Sequence, residues 1–342
     1  MKTTIPAAAF CVAAFSSLAS APATAIELGM PIDCVLGETC MIQNYVDAEP
    51  GVGAKDFECG PLAYDNHQGT DFRLRNRAEI AKGYDALAAA PGRVVSVIND
   101  QPDHGFAEAQ DDPFGCGNAV MIDHGAGWVS QYCHLARGSV PVAPGQSVPA
   151  GAPLGTIGSS GGTDFPHLHY AIRRYGAVIN PFTGVSPTGC DAPKSTPLWR
   201  ADLGLAYSPS ALVGRGVSGV FPSLDLVKQD HARLTAPAGE RAPVYVWLHM
   251  LGVRKGDSAR LMVFGPDGRP FASELFAVTE DKTVYLANIG VTPSDMDLTQ
   301  WPPGEYRARI SFFADGEQAL REDIPFALPV PSPEDVGIGR DG

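Results

Sequence analysis

The feature that most limits what this chain can fold into is a series of short apolar runs cut apart by turn residues. "GRVVSVI", "NAVMID", "WVSQYCHL", "VYVWLHM", "ARLMVF", "TVYLANI" and "YRARISFF" recur along the chain and are rich in Val, Ile, Tyr and Phe. β-Branched and aromatic residues suit a pleated, half-buried surface, and runs of this length bounded by turn signals read as strands. With 38 glycines and 30 prolines, the chain has little room for long helical periodicity. The expected fold class is mostly β. At 342 residues the chain exceeds the usual single-domain size, so two domains are expected.

The punctuation also suggests where those domains divide. Residues 187–224 are dense in Pro, Gly and Ser and read as a linker. Residues 225–329 show short strands separated by turns such as "GPDG" and "WPPGEY", the pattern of a β-sandwich. Residues 330–342 read as a frayed tail.

The first 25 residues, "MKTTIPAAAFCVAAFSSLASAPATA", have one lysine, an apolar stretch and then small residues, the pattern of an export leader cleaved near Ala25. The apolar stretch is too short for a membrane anchor, and no other segment reads as a span. A periplasmic or secreted mature protein is expected.

Export decides how the cysteines are read. Six remain after Cys11 leaves with the leader, and an even number in an oxidising compartment suggests three disulfides. Cys116–Cys133 is favoured because the two flank an expected hairpin. Cys34–Cys40 would close a short loop, leaving Cys59–Cys190 to bracket the central region. Six cysteines allow 15 pairings, so the others stay open. A cysteine-ligated metal is the alternative, but no CxxC spacing supports it. Residues 26–59 thus read as a disulfide-rich extension.

Loss of the leader's lysine leaves 24 basic residues against 38 acidic ones. That excess argues against nucleic acid or an anionic membrane as the main partner. Oligomeric state is left open.

Five residues then stand out. "FPHLHYAI" places His167 and His169 two apart in an apolar run, so on a strand both imidazoles face the same way. Upstream, "YDNHQGTDFRL" carries His67 and Asp71 four apart, and "GWVSQYCHL" ends on His134. Imidazole and carboxylate are suitable Zn²⁺ ligands, and three of them with an open fourth position make a catalytic site. The blander reading of each residue alone is a solvated or hydrogen-bonded surface group. His124 reads as a turn residue, and His104, His231 and His249 as surface or satisfied core groups. By strand alternation, Cys133 should face away from the metal, while Tyr132 should share the face of His134 and line the groove.

In order along the chain, "HQGTD", "GNAVMIDHGAGWVSQYCHL", "VAPGQSVPAGAPLGTIG" and "PHLH" resemble the M23 family of zinc metallopeptidases, the LytM and lysostaphin-like peptidoglycan endopeptidases. The resemblance covers roughly residues 60–186. It implies a compact antiparallel β-sheet with a groove over one zinc per chain, and peptidoglycan peptide stems as partner. It implies that His67, Asp71 and His169 hold the zinc, with His134 and His167 beside the attacking water and the scissile carbonyl. His167 is then the candidate general base and His134 the candidate transition-state stabiliser. The family often continues its second-histidine motif with an aromatic and then an acidic residue; here Tyr170 keeps the aromatic but Ala171 replaces the acid. The acidic stretch 99–118 is expected to border the groove. The alternative is a non-catalytic relative that binds the wall or activates an amidase. Family members used that way generally lack zinc ligands.

Overall fold

Strands form where the apolar runs lie, in a computed structural model that describes residues 26–103, 115–235, 237 and 239–328. The leader, most of the acidic stretch with His104, and the tail at 330–342 lie outside the described residues. In chain order the first strands are β1 (Cys40–Asn44), β2 (Thr70–Leu74), β3 (Asp85–Leu87), β4 (Gly92–Ile98), β5 (Asn118–Gly125) and β6 (Trp128–Leu135). Next come β7 (Ser147–Val148), β8 (Pro153–Thr156), β9 (His167–Arg174), β10 (Ala177–Ile179) and β11 (Ala211–Ser218). A short helix, α1 (Leu224–Gln229), precedes β12 (Val244–Val253), β13 (Ser258–Phe264), β14 (Pro270–Ala277), β15 (Lys282–Val291), β16 (Gly304–Ala314) and β17 (Glu317–Leu328).

The first ten strands supply an antiparallel sheet of order β1-β2-β9-β6-β5-β4-β7, with β10 added on β9 and β3 paired to β8 alongside. The extension before residue 60 is part of this sheet, since β1 is its edge strand. Leu28 bridges Trp199 in parallel, and Cys59–Cys190 ties the extension to the segment that follows β10. Cys116–Cys133, the favoured pairing, is bonded, and so is Cys34–Cys40, which with Cys59–Cys190 settles the pairings left open.

The later strands form a three-stranded sheet, β11-β12-β15, and a four-stranded one, β14-β13-β16-β17. Val246, Leu248 and Ile289 of the first meet Leu261, Val263 and Ile310 of the second in one buried cluster, a sandwich-like arrangement. The other face of β12 is covered as well. Leu251 and Val213 of β11 are buried in the same cluster as Phe72 and Leu168 of the first sheet, and Trp247 packs on Val227 and Leu234. Burial on both faces is why β12 reads "VYVWLHMLGV" with scarcely any polar alternation. Residues 187–224 therefore contain β11, a strand of this sheet, and the two units share apolar surface.

A candidate metal centre

The site grows out of register. β2 and β9 pair with Asp71 opposite His169 and Arg73 opposite His167. Opposed residues share a face and so do residues two apart, so all four side chains leave the sheet on one side. β6 pairs on the other edge of β9, with Cys133 opposite His169. Cys133 therefore shares the face of His169 rather than turning away from it. His134 follows it with φ at 63°, in the left-handed region uncommon for a residue with a side chain. That backbone breaks the strand alternation and turns His134 into the site directly after Cys133. The same break leaves Tyr132 on the opposite face, opposite Tyr170 and fully buried in the core, where its hydroxyl accepts from the Ala89 amide at 2.8 Å. Tyr132 lines no part of the groove, contrary to expectation.

Three ligand atoms converge. His67 Nε2 lies 3.1 Å from Asp71 Oδ1 and 3.1 Å from His169 Nδ1, and His169 Nδ1 lies 2.9 Å from Asp71 Oδ1. The other ring nitrogen of His67, Nδ1, donates to the Tyr45 carbonyl at 2.6 Å, which leaves a lone pair on Nε2. Tyr45 is held in turn by Phe57, Phe182 and Tyr207, ring centroids 5.2, 5.1 and 5.4 Å away. Asp71 Oδ2 accepts from Asn44 Nδ2 at 2.8 Å, so Oδ1 is the oxygen turned to the centre. Gly69 keeps room for His169, since a Cβ there would lie 2.6 Å from the imidazole Cε1. Lone pairs crowded this closely in a buried place favour a shared cation, and two imidazoles with one carboxylate are a donor set that suits Zn²⁺.

Two further imidazoles flank the three. His167 Nε2 is 3.5 Å from Asp71 Oδ1, while its Nδ1 donates to the Phe165 carbonyl at 2.9 Å, with Thr163 Oγ1 at 3.0 Å. His134 Nδ1 donates to the Ser160 carbonyl at 2.8 Å, and its ring centroid is 4.5 Å from that of His167. Both are buried and present Nε2 lone pairs to the site.

The electrostatics follow from that burial. Burial pushes the His134 imidazole well below its ordinary pKa, helped by His167 and His169, and pushes His167 down as well. Burial opposes the charge on Asp71, but His67 and His167 outweigh it and hold the carboxyl well below its usual range. Burial likewise opposes a charge on His67, and Asp71 reverses that and raises its pKa.

All five residues singled out in the sequence are thus brought together. Asn44, Thr163 and the carbonyls of Tyr45, Ser160 and Phe165 were not. Neither was Tyr64, whose ring lies 4.4 Å from that of His67 at the mouth of the site. Elsewhere, His124 bridges the Pro91 carbonyl and Ser130 Oγ, a structural role.

Residues 65–181 match the model of "Peptidase family M23", and this part of the chain belongs to that family. The murein hydrolase activator EnvC of Escherichia coli is 42% identical over 95 residues, covering 28% of this chain and 21% of that protein. The peptidoglycan DD-endopeptidase ShyA of Vibrio cholerae is 30% identical over 128 residues, covering 37% of this chain and 25% of that protein. Among solved structures, the catalytic domain of the prophage-encoded M23 protein EnpA from Enterococcus faecalis is similar at 24% identity. That likeness covers 43% of this chain and 92% of EnpA's, with a TM-score of 0.30. The similarity to EnvC and ShyA spans a quarter or less of their lengths.

Proposed function

We propose that this chain is a zinc metalloendopeptidase that hydrolyses the peptide cross-links of bacterial peptidoglycan. The observation that carries the reading is the convergence of His67 Nε2, Asp71 Oδ1 and His169 Nδ1 beside the buried imidazoles of His134 and His167. His67, Asp71 and His169 would hold one zinc, with a fourth position left open to the cleft. Bound there, zinc would supply Lewis acidity and bring the pKa of its water to about 7.

The chain's own groups do the rest. Asn44 fixes the carboxylate of Asp71, and the Tyr45 carbonyl fixes the tautomer of His67. His167, its Nδ1 spent on Phe165 and Thr163, takes the proton of the attacking water at Nε2 and passes it to the leaving amine. His134 stands beside it to compensate the charge on the carbonyl oxygen. Its Nδ1–H is given to the Ser160 carbonyl, so it does so by taking a proton from solvent on Nε2, as the oxyanion's charge develops and offsets the burial that keeps the ring neutral at rest. Ala171, where the family often has an acid, is buried opposite Gln131 and, two residues beyond His169, lies on the same sheet face as the site.

Three disulfides and the leader pattern support an exported protein acting on the wall outside the cytoplasm. No helix among the described residues is long and apolar enough to cross a membrane.

The name of EnvC, an activator, favours a second reading in which the same groove docks a partner without turnover. A complete ligand set weighs against it. Digestion of purified peptidoglycan by the zinc-loaded protein, with mass analysis of the fragments, tests the choice: new amino and carboxyl termini in the stem peptides support the peptidase, and intact cross-links support the activator.

A further inference from the structure

We infer that the C-terminal sandwich is part of the substrate cleft, with Thr283 and Val284 of β15 as specificity-determining residues that restrict one arm of the cleft to small side chains. The inference rests on the peptidase reading and deepens it. A cleft of about 360 Å³ opens beside the metal centre, lined by Tyr64, Asp71, His134, Thr163 and His167. Thr283 and Val284, more than a hundred residues later in the chain, complete the same lining. Two bonds fasten the edges of this cleft to the C-terminal unit. Thr283 Oγ1 donates to the Pro61 carbonyl at 2.8 Å, bracing the segment that carries Tyr64. Lys228 Nζ, on α1, donates to Asp164 Oδ2 at 2.7 Å, bracing the segment that carries Thr163 and Phe165.

These contacts keep the cleft from widening freely. Val284 is β-branched and stiff about χ1. It pairs in register with Leu251, which is fully buried in the core, so backbone retreat would disturb shared packing. The cleft's volume is at the small end of ligand pockets, which run from about 300 to 1,000 Å³. A stem peptide with methyl side chains on this side of the scissile amide fits such a space. A larger side chain meets Val284. Each methylene refused by an apolar pocket is worth about 10–200-fold in rate.

The test uses the full-length, zinc-reconstituted protein and synthetic cross-linked peptides that differ only by alanine or leucine on either side of the scissile amide. The wild type should prefer alanine on one side. Val284→Ala should raise kcat/KM for the matching leucine peptide at least tenfold relative to alanine. Val284→Trp should raise KM at least tenfold with kcat within threefold. Zinc stoichiometry reports folding, and if Val284→Trp does not fold, Val284→Ala and Thr283→Ala carry the comparison. An alanine-to-leucine ratio unchanged within twofold in Val284→Ala overturns the wall while leaving the peptidase intact. If the wild type cleaves nothing, the peptidase reading fails. Calorimetric Kd values for the same peptides then decide the wall separately: a ratio that shifts with Val284 upholds it, and no binding or no shift overturns it.

Discussion

Asp71 is the residue on which the centre turns, because its Oδ1 faces His67, His167 and His169 while Oδ2 is held by Asn44. Removing a ligand and removing a catalyst should therefore look different. His169→Ala deletes a donor atom, so zinc and activity should be lost together. His134→Ala and His167→Ala leave the three ligand atoms in place, so zinc should stay while the rate falls by about 10²–10⁴. Metal analysis beside muropeptide cleavage on the three variants checks this, and zinc loss in His167→Ala with zinc retained in His169→Ala would invert the two roles. Asn44→Ala frees the carboxylate to rotate and should weaken zinc about 10–100-fold, read by competition with a chelator. The ligand candidates were legible in the sequence because their chemistry is in their side chains and the period of a strand puts 167 and 169 on one face. The partners that orient them were not, since a backbone carbonyl such as that of Tyr45 has no letter of its own. Strand alternation counted back from His134 misplaces Cys133 and Tyr132, because His134 itself is left-handed and resets it.

The same contrast holds for whole strands. β12 was legible as a strand from its composition, but its continuous apolar run carries a further fact, burial on both faces. β11 was hidden, because Gly214 and Gly216 make "ALVGRGVS" look like linker. Those glycines are there for packing. A Cβ at Gly214 would sit 2.5 Å from His231 Cε1 and 3.0 Å from Trp247, and one at Gly216 would sit 3.1 Å from Trp247 Nε1. Opposite Gly214 in register is His249, fully buried with neither ring nitrogen hydrogen-bonded, where a satisfied group was expected. Burial pushes its pKa well below the ordinary value, and the nearby charges of Arg73, His231 and Lys228 push the same way. Below about pH 6.5 the unfolded chain then binds a proton that the folded chain refuses. This contribution to stability is complete above that pH and lost as pH falls. His249→Leu should remove it, so thermal melts of the variant should lose less between pH 7.5 and pH 5.5 than those of the wild type. An equal loss in both would mean that His249 carries a proton, or an unseen partner, in the folded state.

On the scale of the whole molecule, the sequence suggested a peptidase unit that could be cut free, since every candidate ligand lies before residue 190. The packing argues for less independence. Val213 and Leu251 close the core that Phe72 and Leu168 begin, and Tyr207 packs beside Tyr45, whose carbonyl orients His67. Residues 26–190 expressed alone should therefore melt below the full chain and bind an apolar dye. A fragment that melts with the full chain and binds zinc equally well would mean that the shared surface contributes nothing. Whether the five converging residues make a zinc peptidase of the wall is decided by one assay. Purified full-length protein is assayed for zinc, and the same preparation is incubated with peptidoglycan before and after chelation, with fragments read by mass. About one zinc per chain is expected, with cleaved stem cross-links before chelation and none after it. Less than a tenth of an equivalent of zinc after reconstitution, or intact cross-links with the metal in place, would contradict the peptidase reading.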